Sequence, residues 1–235
     1  MKKTFHILST KVLDPALVKS LESYGLQVTQ FDFIKKTIRV QKNIASLTLH
    51  PVIVLTSKTA VQAWIRISEE LPQAVLQFPV YCLANATQTA ARAHGLNIHG
   101  VAPDAGSLAE LILKDPSIKS ITFVCGNLRR DELPNKLKSK GIQVLEIEAY
   151  QTEYTPAKSI QPYHGVLFFS PSAVDSFLRL NSIGLTVAFC LGKTTAEHCR
   201  AVGFSEIQVA DSLTPESLVQ TVLNFYFNLP VHAQK

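Results

Sequence analysis

The fold follows from a stretch that occurs twice in the chain, HILSTKVLDPALVKSLESYGLQVTQFDF (residues 6–33) and TFVCGNLRRDELPNKLKSKGIQVLEIEAY (residues 122–150). In each copy an apolar run precedes a helical pattern that ends in Gly-(Leu/Ile)-Gln-Val, and the chain then turns apolar again. Short runs rich in Val, Ile, Leu and Phe that alternate with helical patterns are typical of βα units and parallel sheets. The two copies therefore predict two parallel sheets in one chain.

Three other segments are also repeated, but they follow a different order relative to the first. VIVLTSKTAVQAW (52–64) resembles GVLFFSPSAVDSF (165–177), residues 78–96 resemble 187–204, and residues 104–113 resemble 211–223. Residues 122–150 follow their three neighbouring repeats (52–64, 78–96 and 104–113). Residues 6–33, the other copy, precede theirs (165–177, 187–204 and 211–223) and open the chain. Both orders are satisfied by two five-stranded α/β domains, one continuous (34–154) and one discontinuous (1–33 plus 155–235). Two crossings, over residues 34–50 and 151–164, would join the domains and leave a cleft between them.

Local patterns predict where the elements begin and end. The predicted strands are residues 4–9, 26–32, 51–56, 79–83, 97–101, 120–125, 143–149, 165–169, 186–191 and 206–210. Asp14, Ser170 and Thr214 each precede a proline and are predicted helix N-caps. Ser107 and Thr194 stand three residues before a glutamate, which is the spacing of a capping box. Gly25, Gly95, Gly141 and Gly203 are predicted to end helices in the left-handed conformation.

Composition and charge limit the class of protein. With 235 residues, 46% of them hydrophobic and 17% charged, the chain is long enough for one or two cores and is neither disordered nor a coiled coil. The net charge of +5 is concentrated in residues 1–164, which carry 19 basic and 13 acidic groups and would favour an anionic ligand. No run of like charges exceeds two residues, so no nucleic-acid-binding groove is expected.

The cysteines indicate a cellular compartment. Cys82, Cys125, Cys190 and Cys199 have neither CxxC spacing nor a histidine at zinc-finger distance, and the seven histidines form no paired-ligand motif. No apolar run approaches the ~18 residues of a membrane span, and the N-terminal apolar stretch is too short for a signal peptide. We therefore expect a cytoplasmic protein with reduced cysteines, no bound metal and no membrane contact.

The turns between strands and helices carry the residues best suited to bind an anion. Ligands of open α/β sheets bind beyond the carboxyl ends of the strands, where helix N-termini offer free N–H groups and a positive dipole end. The candidate binding residues are Ser57, Lys58, Asn85, Thr87, Gly126, Asn127, Ser170, Gly192, Lys193, Thr194 and Thr195. A serine or threonine at one such turn is more often only a helix cap. Five turns together favour an anionic ligand.

Tyr150 is the candidate for proton chemistry. It ends the run VLEIEAY at a chain crossing, where its phenol could donate or share a proton with a ligand. The alternative is a packed aromatic ring whose hydroxyl is satisfied within the protein. The sequence contains no GxSxG elbow, no P-loop and no GxGxxG motif, so Ser57 and Ser170 have no assigned base and are not convincing nucleophiles.

Four stretches in this order resemble the uroporphyrinogen-III synthase family over essentially the whole chain. They are CGNLRRDELPNKLKSKGIQVLEIEAYQTEYTP (125–156), FFSPSAVDSF (168–177), CLGKTTAEHCRAVGF (190–204) and SLTPESLV (212–219). The resemblance implies an α/β fold with two flavodoxin-like parallel-sheet domains, joined by a two-stranded connector, of which the first is discontinuous. That is the layout that the permuted repeat predicts independently.

The same resemblance implies an activity and a set of roles. The family cyclises hydroxymethylbilane, a linear tetrapyrrole with eight carboxylates, to uroporphyrinogen III and water, with inversion of the last pyrrole ring through a spiro intermediate. No cofactor is implied, and a monomer is expected. Tyr150 matches the family tyrosine that assists loss of the hydroxyl. Thr194, Thr195 and their counterpart Thr87, with Ser57 and Ser170, match turns inferred to bind carboxylates. Two departures are Thr10-Lys11, where many members have Arg-Pro, and Ala84, where glycine is usual.

Two other functions fit the same organisation. A non-catalytic two-domain protein that closes on an anionic small molecule would need the same hinge architecture and the same turns. A flavodoxin-like mononucleotide binder would purify with bound nucleotide, but the chain lacks the glycines of a phosphate loop. An assay with hydroxymethylbilane separates the enzyme from both.

Overall fold

A computed structural model describes residues 4–39, 44–159 and 161–228 as eleven strands, eight α-helices and two short 3₁₀ turns. The strands are β1 (His6–Ser9), β2 (Gln27–Gln30), β3 (Ile34–Ile38), β4 (Ile53–Leu55), β5 (Val80–Leu83), β6 (Ile98–Ala102), β7 (Ser120–Gly126), β8 (Gln143–Tyr154), β9 (Gly165–Phe168), β10 (Val187–Cys190) and β11 (Ile207–Val209). The helices are α1 (Pro15–Ser23), α2 (Lys58–Ser68), α3 (Ala86–Ala93), α4 (Ala105–Leu113), α5 (Glu132–Ser139), α6 (Pro171–Leu178), α7 (Lys193–Ala201) and α8 (Pro215–Phe227).

The chain divides into two compact units. The described residues of unit 1 lie within Met1–Lys35 and Glu153–Lys235, and those of unit 2 lie within Lys36–Thr152. The boundaries fall within two residues of those expected from the repeats. Residues 40–43 of the first expected crossing and residue 160 of the second lie outside the described part of the chain.

The sheet of unit 1 has the order β11-β10-β9-β1-β2, and each described pair in it is parallel. Counted along the chain within this unit, that order is 2-1-3-4-5, which is the flavodoxin-like order. The strand order reverses between β1 and β9, because β2 lies on one side of this pair while β10 and β11 lie on the other. Ligands of such sheets bind beyond the strand ends at this reversal.

The sheet of unit 2 has six strands in the order β3-β8-β7-β4-β5-β6. If β7 and β8 are counted first, the five parallel strands again have the order 2-1-3-4-5, so unit 2 is a circular permutation of unit 1. The reversal lies between β7 and β4, whose registers pair Ile53 with Thr122 and Leu55 with Val124. The permuted repeat in the sequence therefore predicts correctly that the parallel strands of unit 2 are a circular permutation of those of unit 1.

The sixth strand corrects the expectation of two five-stranded domains. Strand β3 pairs with β8, and β8 runs on to Tyr154, five residues beyond its predicted end. Arg39 N–H donates to the carbonyl of Ala149 and Thr155 N–H donates to that of Phe33, so the two segments run antiparallel. The prediction missed β3 because IKKTI is mostly exposed and lacks the apolar run of a buried strand.

Both sheets have apolar residues packed on their two faces. In β4, Ile53 and Leu55 belong to one buried cluster, while Val54 between them belongs to another. Strand β9 repeats the pattern, with Val166 and Phe168 on one face and Leu167 on the other. Successive side chains of a strand point to opposite faces, so such strands need continuous apolar sequence. None of the helices in the described ranges combines the length and apolarity needed to cross a membrane.

The helix ends agree with three of the five predicted N-caps and with all four glycines. Asp14, Ser170 and Thr214 accept hydrogen bonds from the first turns of α1, α6 and α8. Gly25, Gly95, Gly141 and Gly203 all have positive φ. The two capping boxes are wrong, because α4 and α7 begin earlier than Ser107 and Thr194. Asp104 caps α4 by accepting from Ser107 N–H at 2.7 Å, and Gly192 precedes α7 without a side-chain cap.

Candidate functional site

The turn from β4 to α2 places a serine hydroxyl at the strand-order reversal of unit 2. Ser57 has extended backbone and caps α2, because its Oγ accepts a hydrogen bond from Ala60 N–H at 3.0 Å. The same Oγ lies 3.1 Å from the phenolic oxygen of Tyr150. Either hydroxyl can be the donor in this pair, so the Ser57 hydroxyl can donate to or accept from the Tyr150 phenol.

Tyr150 lies within β8 rather than at its end, and its ring is half-buried against the core that α2 covers. Burial raises the pKa of the phenol above its ordinary value. The hydrogen bond with Ser57 opposes this shift by a smaller amount, and Cys125 adds to it. The ammonium of Lys36 lies 6.0 Å from the ring centroid, at the outer limit of a cation–π contact. At neutral pH the site therefore holds a protonated phenol.

Gly126 and Asn127 lie under and beside this tyrosine. A Cβ built on Gly126 would lie 2.7 Å from Cζ and 2.8 Å from Cδ2 of the Tyr150 ring. Asn127 donates from its backbone N–H to the Tyr150 carbonyl at 3.2 Å, and its side-chain amide binds both backbone groups of Thr152. In this structure the Asn127 amide is thus engaged with the protein itself.

One expected turn reaches its helix later than predicted. The sequence predicts that the segment from Gly126 to Arg129 runs directly into a helix N-terminus, but α5 begins at Glu132. Its preceding residue, Asp131, has helical φ and ψ and makes no side-chain cap. Arg129 instead forms ion pairs with Asp131 and Glu146 on the surface of unit 2. The free N–H groups expected immediately after β7 are therefore displaced by several residues.

The turn before α3 contains the remaining candidates of unit 2. Asn85 is exposed and has φ of +61°, a conformation that only glycine adopts without strain, and its side chain makes no cap bond. Thr87, in the first turn of α3, is 5% exposed. Lys58, at the first position of α2, is exposed. Asn85 and Lys58 are thus accessible to a ligand in this structure, whereas the Thr87 side chain faces the protein.

Unit 1 has two comparable turns. Ser170 precedes α6 with extended backbone, accepts from Ala173 N–H at 3.3 Å and lies 3.0 Å from the Ser172 hydroxyl. Gly192 precedes α7 and has extended backbone. Because glycine has no side chain, no cap covers the first N–H groups of α7. The residues that follow it differ in exposure: Lys193 and Thr194 are exposed, and Thr195 is 4% exposed.

A cluster on α6 and α7 was not predicted. His198 Nε2 lies 2.6 Å from Asp175 Oδ1, and the Tyr154 hydroxyl donates to Asp175 Oδ2 at 3.3 Å. The guanidinium of Arg179 lies 4.2 Å from the centroid of the Tyr154 ring. Proximity between residues of different elements has no local signal, although the aspartate of SAVDSF and the histidine of TTAEHC could have drawn attention to the pair.

Metal-binding groups do not converge in the described ranges. No three His, Cys, Asp or Glu side chains there lie close enough together to hold a metal ion. All four cysteines are free thiols, and all four are buried. The Sγ atoms of Cys190 and Cys199 lie 3.6 Å apart, and this mutual contact and burial raise the pKa of the Cys190 thiol.

Comparison with known proteins gives a consistent result. A family model described as uroporphyrinogen-III synthase HemD matches residues 15–220. A protein named uroporphyrinogen-III synthase from Saccharomyces cerevisiae is 36% identical over 117 residues, which cover 43% of this chain. The match spans 42% of the length of that yeast relative.

Solved structures of the same name share the fold. The uroporphyrinogen-III synthetase of Helicobacter pylori superimposes with a TM-score of 0.66 at 17% identity, over 94% of this chain and 99% of that one. A mutant uroporphyrinogen III synthase of Thermus thermophilus gives 0.70 at 15% identity, over 94% and 97%. The family match covers most of the chain, and the fold agrees with it. This chain belongs to the uroporphyrinogen-III synthase family.

Proposed function

We propose that the chain cyclises hydroxymethylbilane to uroporphyrinogen III and water, with inversion of the last pyrrole ring. The observation that carries the proposal is the Ser57–Tyr150 pair at the strand-order reversal of unit 2, with oxygens 3.1 Å apart. Loss of a hydroxyl as water requires a proton, and a phenol whose pKa is raised by burial keeps its proton at neutral pH. Family membership supplies the substrate and the reaction class.

The proton balance of this reaction suits a single phenol. Tyr150 gives its proton to the departing hydroxyl, so water leaves and the methylene carbon that carried the hydroxyl becomes electrophilic. Attack by the substituted pyrrole carbon, fragmentation of the spiro intermediate and reclosure end with the loss of a proton from a pyrrole carbon. A phenolate with a raised pKa is a good acceptor for that proton, and the Ser57 hydroxyl can stabilise the phenolate by donating to it. Tyr150 therefore returns to its starting state.

The substrate carboxylates are assigned to the helix N-termini. Ser57, Ser170 and Gly192 precede α2, α6 and α7, whose first N–H groups and dipoles favour negative charge. The exposed Lys58, Lys193 and Thr194 add charge or hydrogen-bond donors, and the exposed Asn85 adds an amide. We assign Thr87 and Thr195 a supporting role within their turns, because their side chains are buried.

The test is an isomer assay. Purified protein receives freshly generated hydroxymethylbilane, and the products are oxidised and separated by chromatography. We expect the type III isomer, in an amount that rises with protein concentration, whereas the buffer control gives the spontaneous type I isomer. Type I alone from the protein would contradict the enzyme and favour the non-catalytic binding protein.

The proposal includes a cytoplasmic location and a monomeric state. Four free, buried thiols are the form of cysteine that a reducing compartment maintains, which supports a cytoplasmic location. We expect a monomer in solution. Size-exclusion chromatography with light scattering should give a mass near 25.9 kDa, and a mass near twice that value would contradict the expectation.

A further inference from the structure

Gly126 and Tyr150 lie opposite each other on neighbouring strands of unit 2. A Cβ at position 126 would overlap the tyrosine ring, at 2.7 Å from Cζ and 2.8 Å from Cδ2 and closer still to Cε2. Such approaches essentially never occur between real side chains, so any residue larger than glycine must push the ring away. Gly126 does not have positive φ, and its glycine is therefore explained by the close approach and not by backbone conformation.

A bulge in β8 brings Tyr150 to this position. The register pairs Ser120 with Gln143 and continues in step to Cys125 and Glu148, but Gly126 then pairs with Tyr150, so that Ala149 is an extra residue. In a regular strand, residues 147 and 149 share one face and residue 150 lies on the other. Here the ring of Tyr150 packs against the same core cluster as Ile147 and Ala149. The bulge has thus turned Tyr150 towards the face that α2 covers.

Hydrogen bonds on both sides of β8 hold the bulged segment. On one side, Arg39 N–H donates to the Ala149 carbonyl at 2.8 Å. On the other, Asn127 N–H donates to the Tyr150 carbonyl, Asn127 Oδ1 accepts from Thr152 N–H at 2.7 Å, and Asn127 Nδ2 donates to the Thr152 carbonyl at 3.2 Å. Asn127 therefore fixes the backbone at residues 150 and 152 at once.

We infer that Gly126 and Asn127 are positioning residues, which aim the Tyr150 hydroxyl at Ser57 and do not themselves bind the substrate. This inference rests on the proposed function, because it assigns Tyr150 a proton to deliver. It also replaces the expectation that both residues contact the substrate: the space above Gly126 is filled by the tyrosine ring, and the amide of Asn127 is committed to Thr152.

The chain contains a matched control for the glycine. Gly100 in β6 pairs with Tyr81 in β5, the register shifts by one residue just before this pair, and a Cβ at Gly100 would lie 2.5 and 2.6 Å from the Tyr81 ring. Gly126→Ala and Gly100→Ala therefore place the same methyl group under a tyrosine ring of the same sheet. Only the first displaces a ring that contacts Ser57.

The experiment measures Tyr150 directly and through turnover. Tyrosine carrying ¹³C at Cζ reports each phenol by NMR, and the Tyr150 signal is the one missing from Tyr150→Phe. In Gly126→Ala we expect the pKa of Tyr150 to move towards the ordinary tyrosine value as burial is lost, kcat to fall about 100-fold, and KM to change less than about twofold. Gly100→Ala should leave the Tyr150 signal and kcat unchanged.

Other outcomes would overturn the inference. An unchanged Tyr150 pKa and kcat in Gly126→Ala would do so, and a raised KM with unchanged kcat would restore substrate binding to Gly126. If Gly126→Ala does not fold, Asn127→Ala provides the test. We expect the pKa of Tyr150 to move towards the ordinary tyrosine value and kcat to fall about tenfold. No change in either quantity would contradict the positioning role of Asn127. If the wild type made only the type I isomer, the proposed function would fail while the NMR titration still tested the geometry.

Discussion

The turns that contain Ser57 and Ser170 have the same backbone and cap geometry, but the two serine hydroxyls have different hydrogen-bond partners. Both follow the central strand of a five-stranded parallel array, both have extended backbone, and both serines cap the next helix by accepting from the N–H three residues on. Ser57 shares its hydroxyl with the phenol of Tyr150, whereas Ser170 shares its own with Ser172.

The partner differs because the repeated segments end differently. Residues 122–150 end on Tyr150, while residues 6–33 end on Phe33, which is 1% exposed and packs 6.2 Å from the ring of Phe177. Each unit thus has a serine-capped helix N-terminus after its central strand, and in unit 2 a phenol lies beside the serine. We therefore propose that the proton chemistry of the reaction belongs to unit 2 and that the turns of unit 1 serve binding.

Removing the phenolic hydroxyl should produce the largest effect. In Tyr150→Phe we expect kcat to fall by about 100-fold, the order that general acid catalysis supplies, with little change in KM. Stability should fall by only about 1 kcal/mol, because one hydrogen bond is lost. Steady-state kinetics and urea unfolding measure the two effects.

Tyr226→Phe is the control for this change. Tyr226 is also a half-buried tyrosine, burial raises its pKa to about 12, and its buried hydroxyl has no hydrogen-bond partner among the described residues. Removing that hydroxyl should leave turnover unchanged and stability equal or slightly higher, because an unpaired polar group is removed. Equal losses of kcat in the two variants would remove the special role of Tyr150.

Ser57→Ala and Ser170→Ala should separate the two turns. Each variant loses a helix N-cap and about 1 kcal/mol of stability. Since the bond with Ser57 lowers the pKa of Tyr150, Ser57→Ala should raise that pKa further and lower kcat by about tenfold. Ser170→Ala should leave the Tyr150 pKa unchanged and act mainly on KM. A ¹³C tyrosine titration together with kinetics tests both, and identical behaviour of the two variants would contradict the distinction.

The smallest expected effect is a pH dependence of stability. The native state holds the Tyr150 proton more tightly than the unfolded state, whose tyrosines titrate near about pH 10. The unfolded state therefore loses this proton first, and the free energy of unfolding falls as the pH rises above about 10. Tyr150→Phe lacks this contribution, so the stability advantage of the wild type should shrink as the pH rises through about 10 in urea titrations. A constant difference would argue against a raised pKa.

The sequence predicts the scaffold of both units because their elements have local signals. Several predicted strands are nearly continuous apolar runs, as strands buried on both faces need, and each of the ten predicted segments overlaps a strand of the structure. Asp14-Pro15, Ser170-Pro171 and Thr214-Pro215 mark helix starts for an equally local reason. Ser57 is predicted as a site residue from its strand-to-helix turn, whereas Tyr150 is predicted from its place at the end of VLEIEAY.

The contact between Ser57 and Tyr150 depends on how distant segments of the chain pair in the sheet. The clearance over Gly126 exists only because β7 and β8 pair in a register with one extra residue at Ala149. Nothing in the letters around Ala149 marks a bulge. Strand β3 was missed because IKKTI is mostly exposed and lacks the apolar run of a buried strand, and its partner β8 lies more than a hundred residues away. The two predicted capping boxes are wrong because Asp104 and Gly192 occupy the N-cap positions of α4 and α7 that were predicted for Ser107 and Thr194.

The role of Tyr150 in ring closure is tested by the fraction of type III isomer formed from hydroxymethylbilane by the wild type and by Tyr150→Phe, each at several protein concentrations. We expect mainly type III from the wild type. We expect a mixture shifted towards the spontaneous type I isomer from the variant at equal concentration, because slow enzymatic closure then competes with the uncatalysed reaction. Type I alone from the wild type, or an unchanged isomer fraction in the variant at limiting protein, would contradict the account.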